Sequence, residues 1–209
     1  MARVKIKKPA MLEVKSSSGA TYMGGSQMWY RQTWNRQSGC GPTTASGLVW
    51  YLARARSEFS FLCSAGHGGR TDFEELMNIM FGFITPTTRG VNTTAIFTEG
   101  LECYSRFRGL PLVTRTLEIP PAICSRPSKQ ELSDFLVAAF EADLPVAFLN
   151  LSNGTLKNLD NWHWVLLISL DTDTMMATMC DQGRTKEIAL GEWLKSTVLG
   201  GGFVTADMA

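Results

Sequence analysis

The chain has 209 residues, 44% hydrophobic and 19% charged, with 20 Lys plus Arg against 19 Asp plus Glu for a net charge of +1. With a mean hydropathy of −0.02, this is the composition of one globular domain that can bury its own core without disulfide or metal support. It excludes a wholly disordered chain, a collagen-like chain and a coiled coil, and it lacks the basic excess of a nucleic-acid binder.

Purely apolar runs are short, such as 164–168, whereas a spanning helix needs about 20 residues; no membrane insertion is expected. Arg3, Lys5, Lys7 and Lys8 make a basic start with no apolar run of signal-peptide length behind it, which predicts a cytoplasmic location. Cys40, Cys63, Cys103, Cys124 and Cys180 are odd in number and widely spaced, without a C-x-x-C pair. They read as free thiols of a reducing compartment. With His67 and His163 as the only histidines, neither a metal nor another cofactor is expected.

Residues 1–21 read as an entry arm, flexible in part at Ser16-Ser17-Ser18-Gly19, with a strand tendency that Pro9 weakens. Residues 22–209 read as a single domain. The first clear helix opens near Cys40: Ala45, Leu48, Val49 and Leu52 follow a helical apolar period, and Trp50 and Tyr51 widen that surface, which predicts burial. Pro42 lies in its first turn, where a missing N–H costs nothing. A second helix is predicted from Thr71, with Thr71 and Glu74 as a capping box ahead of Leu76, Ile79 and Met80. A third covers 92–107, and a fourth starts at Ser128 with Glu131 completing its box and Pro145 closing it.

Past Pro145 the period changes to that of strands, over 146–151, 162–170 and 175–180, with turns at Asn153-Gly154 and 171–174. Gly200, Gly201 and Gly202 read as a turn before a last short strand at Phe203-Val204. Helices first and antiparallel strands later predict an α+β domain with segregated layers.

The most informative stretch is Gly39-Cys40-Gly41-Pro42-Thr43-Thr44-Ala45, which sets a cysteine where a loop enters a buried helix. The unpaired N–H groups and positive end of the dipole there favour a thiolate, the nucleophilic form. The glycines leave room beside the sulfur, and the Cys40 N–H is suited to receive an oxyanion. His163, at the start of a strand, is the candidate base. Asp181 closes the next strand, and a hairpin would bring it to the second ring nitrogen. Gln27, Gln32 and Gln37 are candidates for a further oxyanion donor, and Trp29, Trp34, Trp162 and Trp164 for the walls of a substrate cleft. Cys63, Cys103 and Cys124 read as incidental thiols. His67 reads as a residue of a glycine-rich surface loop, which lacks the Lys-Ser/Thr ending of a phosphate loop.

Together these residues give the chain a family likeness. It resembles papain-like cysteine peptidases, and among them the bacterial C39-like group. The likeness rests on Gly24-Gly25-Ser26-Gln27-Met28-Trp29, Ser38-Gly39-Cys40-Gly41-Pro42-Thr43-Thr44-Ala45, Trp162-His163-Trp164-Val165 and Asp181-Gln182-Gly183. It implies a papain-like α+β fold in which an N-terminal helical half carrying the nucleophile helix packs on a C-terminal antiparallel sheet. It also implies Cys40 as nucleophile, His163 as general base, Asp181 as the orienting residue and Gln27 as the oxyanion glutamine. Two positions depart from the family pattern. Trp34 stands six residues before the cysteine, where many papain-like enzymes carry their glutamine. A direct overlay of the family's Asn-Ser-Trp-Gly stretch puts Cys180 rather than Asp181 at the orienting position. The implied activity is hydrolysis of a peptide, protein or small amide substrate through an acyl-enzyme. Acyl transfer on the same fold and a catalytically silent peptide-binding module are the alternatives.

Overall fold

The structure is a computed structural model that describes residues 3–63 and 68–209. A short helix α1 (Thr33–Ser38) turns at Gly39 into α2 (Cys40–Ala55), and every residue of α2 from Cys40 to Leu52 is buried. The sharp junction needs glycine: a Cβ on Gly39 would lie 2.4 Å from the Asn35 carbonyl oxygen and 2.5 Å from Tyr30 Cε2. Helices α3 (Arg70–Phe83) and α4 (Thr94–Phe107) bury Phe73, Leu76, Met77 and Met80 and Phe97, Leu101 and Tyr104, and both pack on α2. Each such apolar side chain contributes roughly 1.5–3 kcal/mol on leaving water.

Helix α5 (Lys129–Glu141) begins with the expected reciprocal bonds between Ser128 and Glu131. Helix α3 departs from expectation. Its N-cap is Gly69, whose N–H donates to Asp72 Oδ2 at 3.4 Å, so the helix has already started at Thr71. Glu74 pairs instead with Arg70, at 2.6 Å one turn away.

The main sheet runs in the order β4 (Leu112–Ile119), β9 (Gly201–Met208), β5 (Val146–Asn150), β6 (His163–Asp171), β7 (Met176–Asp181), β8 (Arg184–Ala189), with every neighbour antiparallel. The α+β class is as the sequence predicts, although β4 lies between α4 and α5 in the chain, so the layers are less segregated than expected. The last strand is longer than Phe203-Val204. Only Gly200, at φ +71°, belongs to the turn, and Gly201 already pairs with Asn150. A short helix α6 (Leu190–Ser196) follows β8.

Residues expected as a partly flexible arm are built into the domain. Strand β1 (Arg3–Lys5) pairs with Ser169–Asp171 of β6, beyond the stretch that β5 occupies. Strands β2 (Glu13–Lys15) and β3 (Thr21–Met23) form a hairpin whose turn holds the Ser16–Gly19 stretch. Ile6, Leu12 and Val14 are fully buried, which anchors this segment by the ordinary hydrophobic drive.

Candidate active site

Cys40 is the first residue of α2, and its side chain sits 4.0 Å from the carbonyl oxygen of Trp162, the residue just before β6. Close approach is possible because Gly41 has no side chain: a Cβ there would meet Val91 at 2.9 Å. Val91 is fixed in turn, since the Trp164 indole N–H donates to its carbonyl at 2.6 Å. Trp162 takes φ +54°, a left-handed turn that feeds directly into His163.

His163 opens β6 and is buried, and its Nε2 lies 2.8 Å from Asp181 Oδ1 at the end of β7. The other carboxylate oxygen, Oδ2, accepts from Lys186 Nζ at 2.7 Å. With Nε2 engaged by Asp181, Nδ1 is the ring nitrogen left to face a partner, and Cys40 and His163 line the same cavity. Burial pulls the His163 pKa down, but the bond to Asp181 and the nearby Cys40 outweigh it and push it up to about 10. Burial likewise works to raise Asp181, but the bonds and charges of His163 and Lys186 hold its carboxyl below the usual carboxylate range. Cys180, the competing orienting residue from the family overlay, is buried, and burial pushes its thiol up to about 12. It is Asp181 that bonds the ring.

A cavity opens beside the sulfur, lined by Cys40, His163, Asp181, Gly24, Gly25 and Gln27 among others. Gln27 is therefore close to the nucleophile candidate, while the exposed Gln32 and Gln37 do not line the cavity. One N–H of Gln27 Nε2 is committed to the Arg36 carbonyl at 2.8 Å, which leaves the second for a ligand; its Oε1 is buried without a partner among the described residues.

Of the four expected cleft tryptophans, Trp29, Trp34 and Trp162 are placed outside the lining of this cavity. Trp29 packs edge-on against Tyr22 at 5.2 Å and Phe73 at 6.0 Å, with the Arg70 guanidinium over its ring. Trp34 is 47% exposed on α1. The Trp162 indole is 48% exposed and, with Arg89, borders a separate hollow; only its carbonyl reaches Cys40. The fourth, Trp164, does line the Cys40 cavity, and its indole stacks on Phe97 at 4.3 Å. The sequence shows an aromatic side chain, but whether it is buried and what it packs against are set by tertiary contacts.

Sequence reasoning missed two members of the site. Lys186 carries no linear signal beyond lying within a hairpin reach of Asp181. Gln182 lines the cavity at φ +50° and accepts from the Ser26 hydroxyl at 2.5 Å; the turn-like Asp-Gln-Gly triplet was its only signal. His67 lies outside the described residues. Among the described residues, no group of three or more His, Cys, Asp or Glu is placed to hold a metal ion, and no helix is long and apolar enough to cross a membrane. Neither the models of known protein families nor the curated proteins include a match to this chain.

Proposed function

We propose that the protein is a cysteine-dependent acyl-bond hydrolase of papain-like, C39-like type, acting on a peptide or amide. The observation that carries this reading is that Cys40, at the first turn of a buried helix, lines one cavity with His163, whose Nε2 is held by Asp181. Nucleophile, base and orienting group in series are what thiol acyl chemistry requires. The antiparallel sheet that carries His163 and Asp181 against α2 supports the papain-like part of the reading.

In this mechanism the Cys40 proton passes to His163 Nδ1. The sulfur attacks the substrate carbonyl carbon, forming a C–S bond and moving the π electrons onto the oxygen. The N–H groups of the first turn of α2 and the free N–H of Gln27 receive that oxyanion. Collapse breaks the C–N bond, and the imidazolium gives its proton to the departing amine. Water, deprotonated by His163, then attacks the thioester carbonyl. The C–S bond breaks, and the thiol and a carboxylic acid are restored.

The test is competitive alkylation with iodoacetamide at neutral pH, read residue by residue by mass spectrometry. Cys40 is expected to react faster than Cys103 and Cys124, which are both exposed. Equal or slower reaction at Cys40, despite the open cavity, would overturn the activated-thiol reading.

A further inference from the structure

We infer that Lys186 is a positioning residue of this site: by clamping the second carboxylate oxygen of Asp181, it fixes the plane in which that carboxylate holds His163 toward Cys40. The inference rests on the hydrolase reading above and extends the series of groups by one member.

The carboxylate of Asp181 is held at both ends, by His163 Nε2 at 2.8 Å on Oδ1 and by Lys186 Nζ at 2.7 Å on Oδ2. A carboxylate bonded through one oxygen alone can turn about its Cβ–Cγ bond, and the ring it holds can turn with it. Two partners remove that freedom. The strand register makes the clamp possible. In the β7–β8 pair, Met179 faces Lys186 and Asp181 faces Arg184, so Lys186 lies on the diagonal from Asp181 and reaches it with its long side chain. His163, Asp181 and Lys186 thus span three adjacent strands, β6, β7 and β8.

This pair differs from an ordinary surface ion pair, in which both partners keep their water and little is gained. The Asp181 side chain is 6% exposed and that of Lys186 is 41% exposed. Without the ammonium, Oδ2 would remain buried with its bond unmade, a costly state for a charged oxygen. The groups facing Asp181 are His163 from β6 and Lys186 from β8, with Cys40 of α2 reached through the imidazole; the exposed Arg184 stands opposite on β8, and Cys180 is its neighbour along β7. A positive charge one carboxylate away from the ring opposes the imidazolium. Losing that charge makes His163 hold its proton to higher pH. The limb of the pH–reactivity profile that His163 sets then moves upward.

The experiment compares the wild type with Lys186→Met, Lys186→Gln and Lys186→Arg. The pH dependence of Cys40 alkylation by iodoacetamide and the ring-proton NMR titration of His163 are both recorded. Lys186→Met is expected to lower the Cys40 rate at neutral pH by roughly 10-fold, the low end for loss of an outer partner of a site. It should also shift the His163 titration and the limb it sets upward by about half a pH unit or more, as one charge at this range gives in a partly wet site. Lys186→Arg should restore the wild-type profile. Lys186→Gln, polar and uncharged, serves if the methionine variant fails to fold, and should show the same upward shift. A His163 titration that stays at its wild-type position in a folded Met or Gln variant overturns the inference, as does an arginine variant that behaves like methionine. If wild-type Cys40 is no more reactive than Cys103, the hydrolase reading fails and takes this inference with it. A reactive wild type with unshifted variants removes Lys186 alone.

Discussion

Asp181 bonds His163 across a register that does not pair them. In the β6–β7 ladder Cys180 stands opposite Leu166, which puts Val165 opposite Asp181 and leaves His163 two residues further along β6. The bond of 2.8 Å is therefore a diagonal one, a separation that an imidazole and a carboxylate can bridge. Successive residues of a strand point to opposite faces, so the choice between Cys180 and Asp181 is a choice of face. The Asp181 face is the one that meets the ring.

Replacing Asp181 with Asn tests the consequence of that bond. The amide keeps the size of the side chain but removes the charge that holds both His163 and Lys186. Cys40 alkylation at neutral pH is expected to slow by roughly 10- to 100-fold, as found when the outer partner of a site histidine is lost. Mass-spectrometric rates for Cys40 against the exposed Cys103 in the same tube provide the measurement. An unaltered ratio would show that the diagonal bond does not govern the thiol.

Stability should follow the same two groups as pH changes. His163 binds its proton more tightly in the folded chain, at about 10 against an ordinary 6.5, so its contribution is complete below about pH 6.5 and is lost as pH rises through 10. Asp181 is shifted the other way from 3.8, so its contribution is present above that value and is lost as pH falls through the lower folded one. Both act together between about pH 4 and 6.5. The difference in urea midpoint between the wild type and His163→Gln should be flat from pH 5 to 6.5 and should shrink as the pH approaches 10. A difference that widens with pH would contradict the assigned direction.

The candidate site was largely legible in the sequence where the signal is local. The helix at Cys40 announces itself through Ala45, Leu48, Val49 and Leu52, and all four are fully buried. The strand at His163 carries the apolar run 164–168, and its residues through Leu170 are buried. What escaped depends on partners distant in sequence. Strand β8 has only Ile188 buried, so it shows no alternation of apolar residues, and Lys186 with it gave no sign. Strand β4 is buried only at Leu112 and Ile119, its two ends. Gly69 has no side chain to mark an N-cap, so the capping signal was read from Thr71 instead. Pro9 begins a short turn of 3-10 helix and not a break in order, and the segment around it is held by the buried Ile6 and Leu12.

Gly39→Ala should damage the junction that presents the sulfur. The new methyl would lie 2.4 Å from the Asn35 carbonyl oxygen, and backbone cannot swing aside as a flexible side chain can. Overpacking of this kind costs about 1–3 kcal/mol, and relief requires moving α1 away from the first turn of α2. A lower thermal midpoint and a slower Cys40 alkylation should therefore appear together. A variant with wild-type stability and wild-type Cys40 reactivity would show that the junction tolerates a side chain.

Gly82→Ala is expected to act in the opposite direction and away from the site. Gly82 lies in the last turn of α3, is exposed, and has nothing within 4 Å of where a Cβ would stand. Its backbone is helical, so alanine adopts the same conformation while the unfolded chain loses freedom. Interior helix glycines cost roughly 0.5–1 kcal/mol relative to alanine, and a position so near the helix end should return the lower part of that range. The urea midpoint should rise with an unchanged slope, and Cys40 should alkylate at the wild-type rate because the last turn of α3 contributes no residue to the lining of the Cys40 cavity. A fall in stability would mean that the end of α3 leaves the helical conformation in solution.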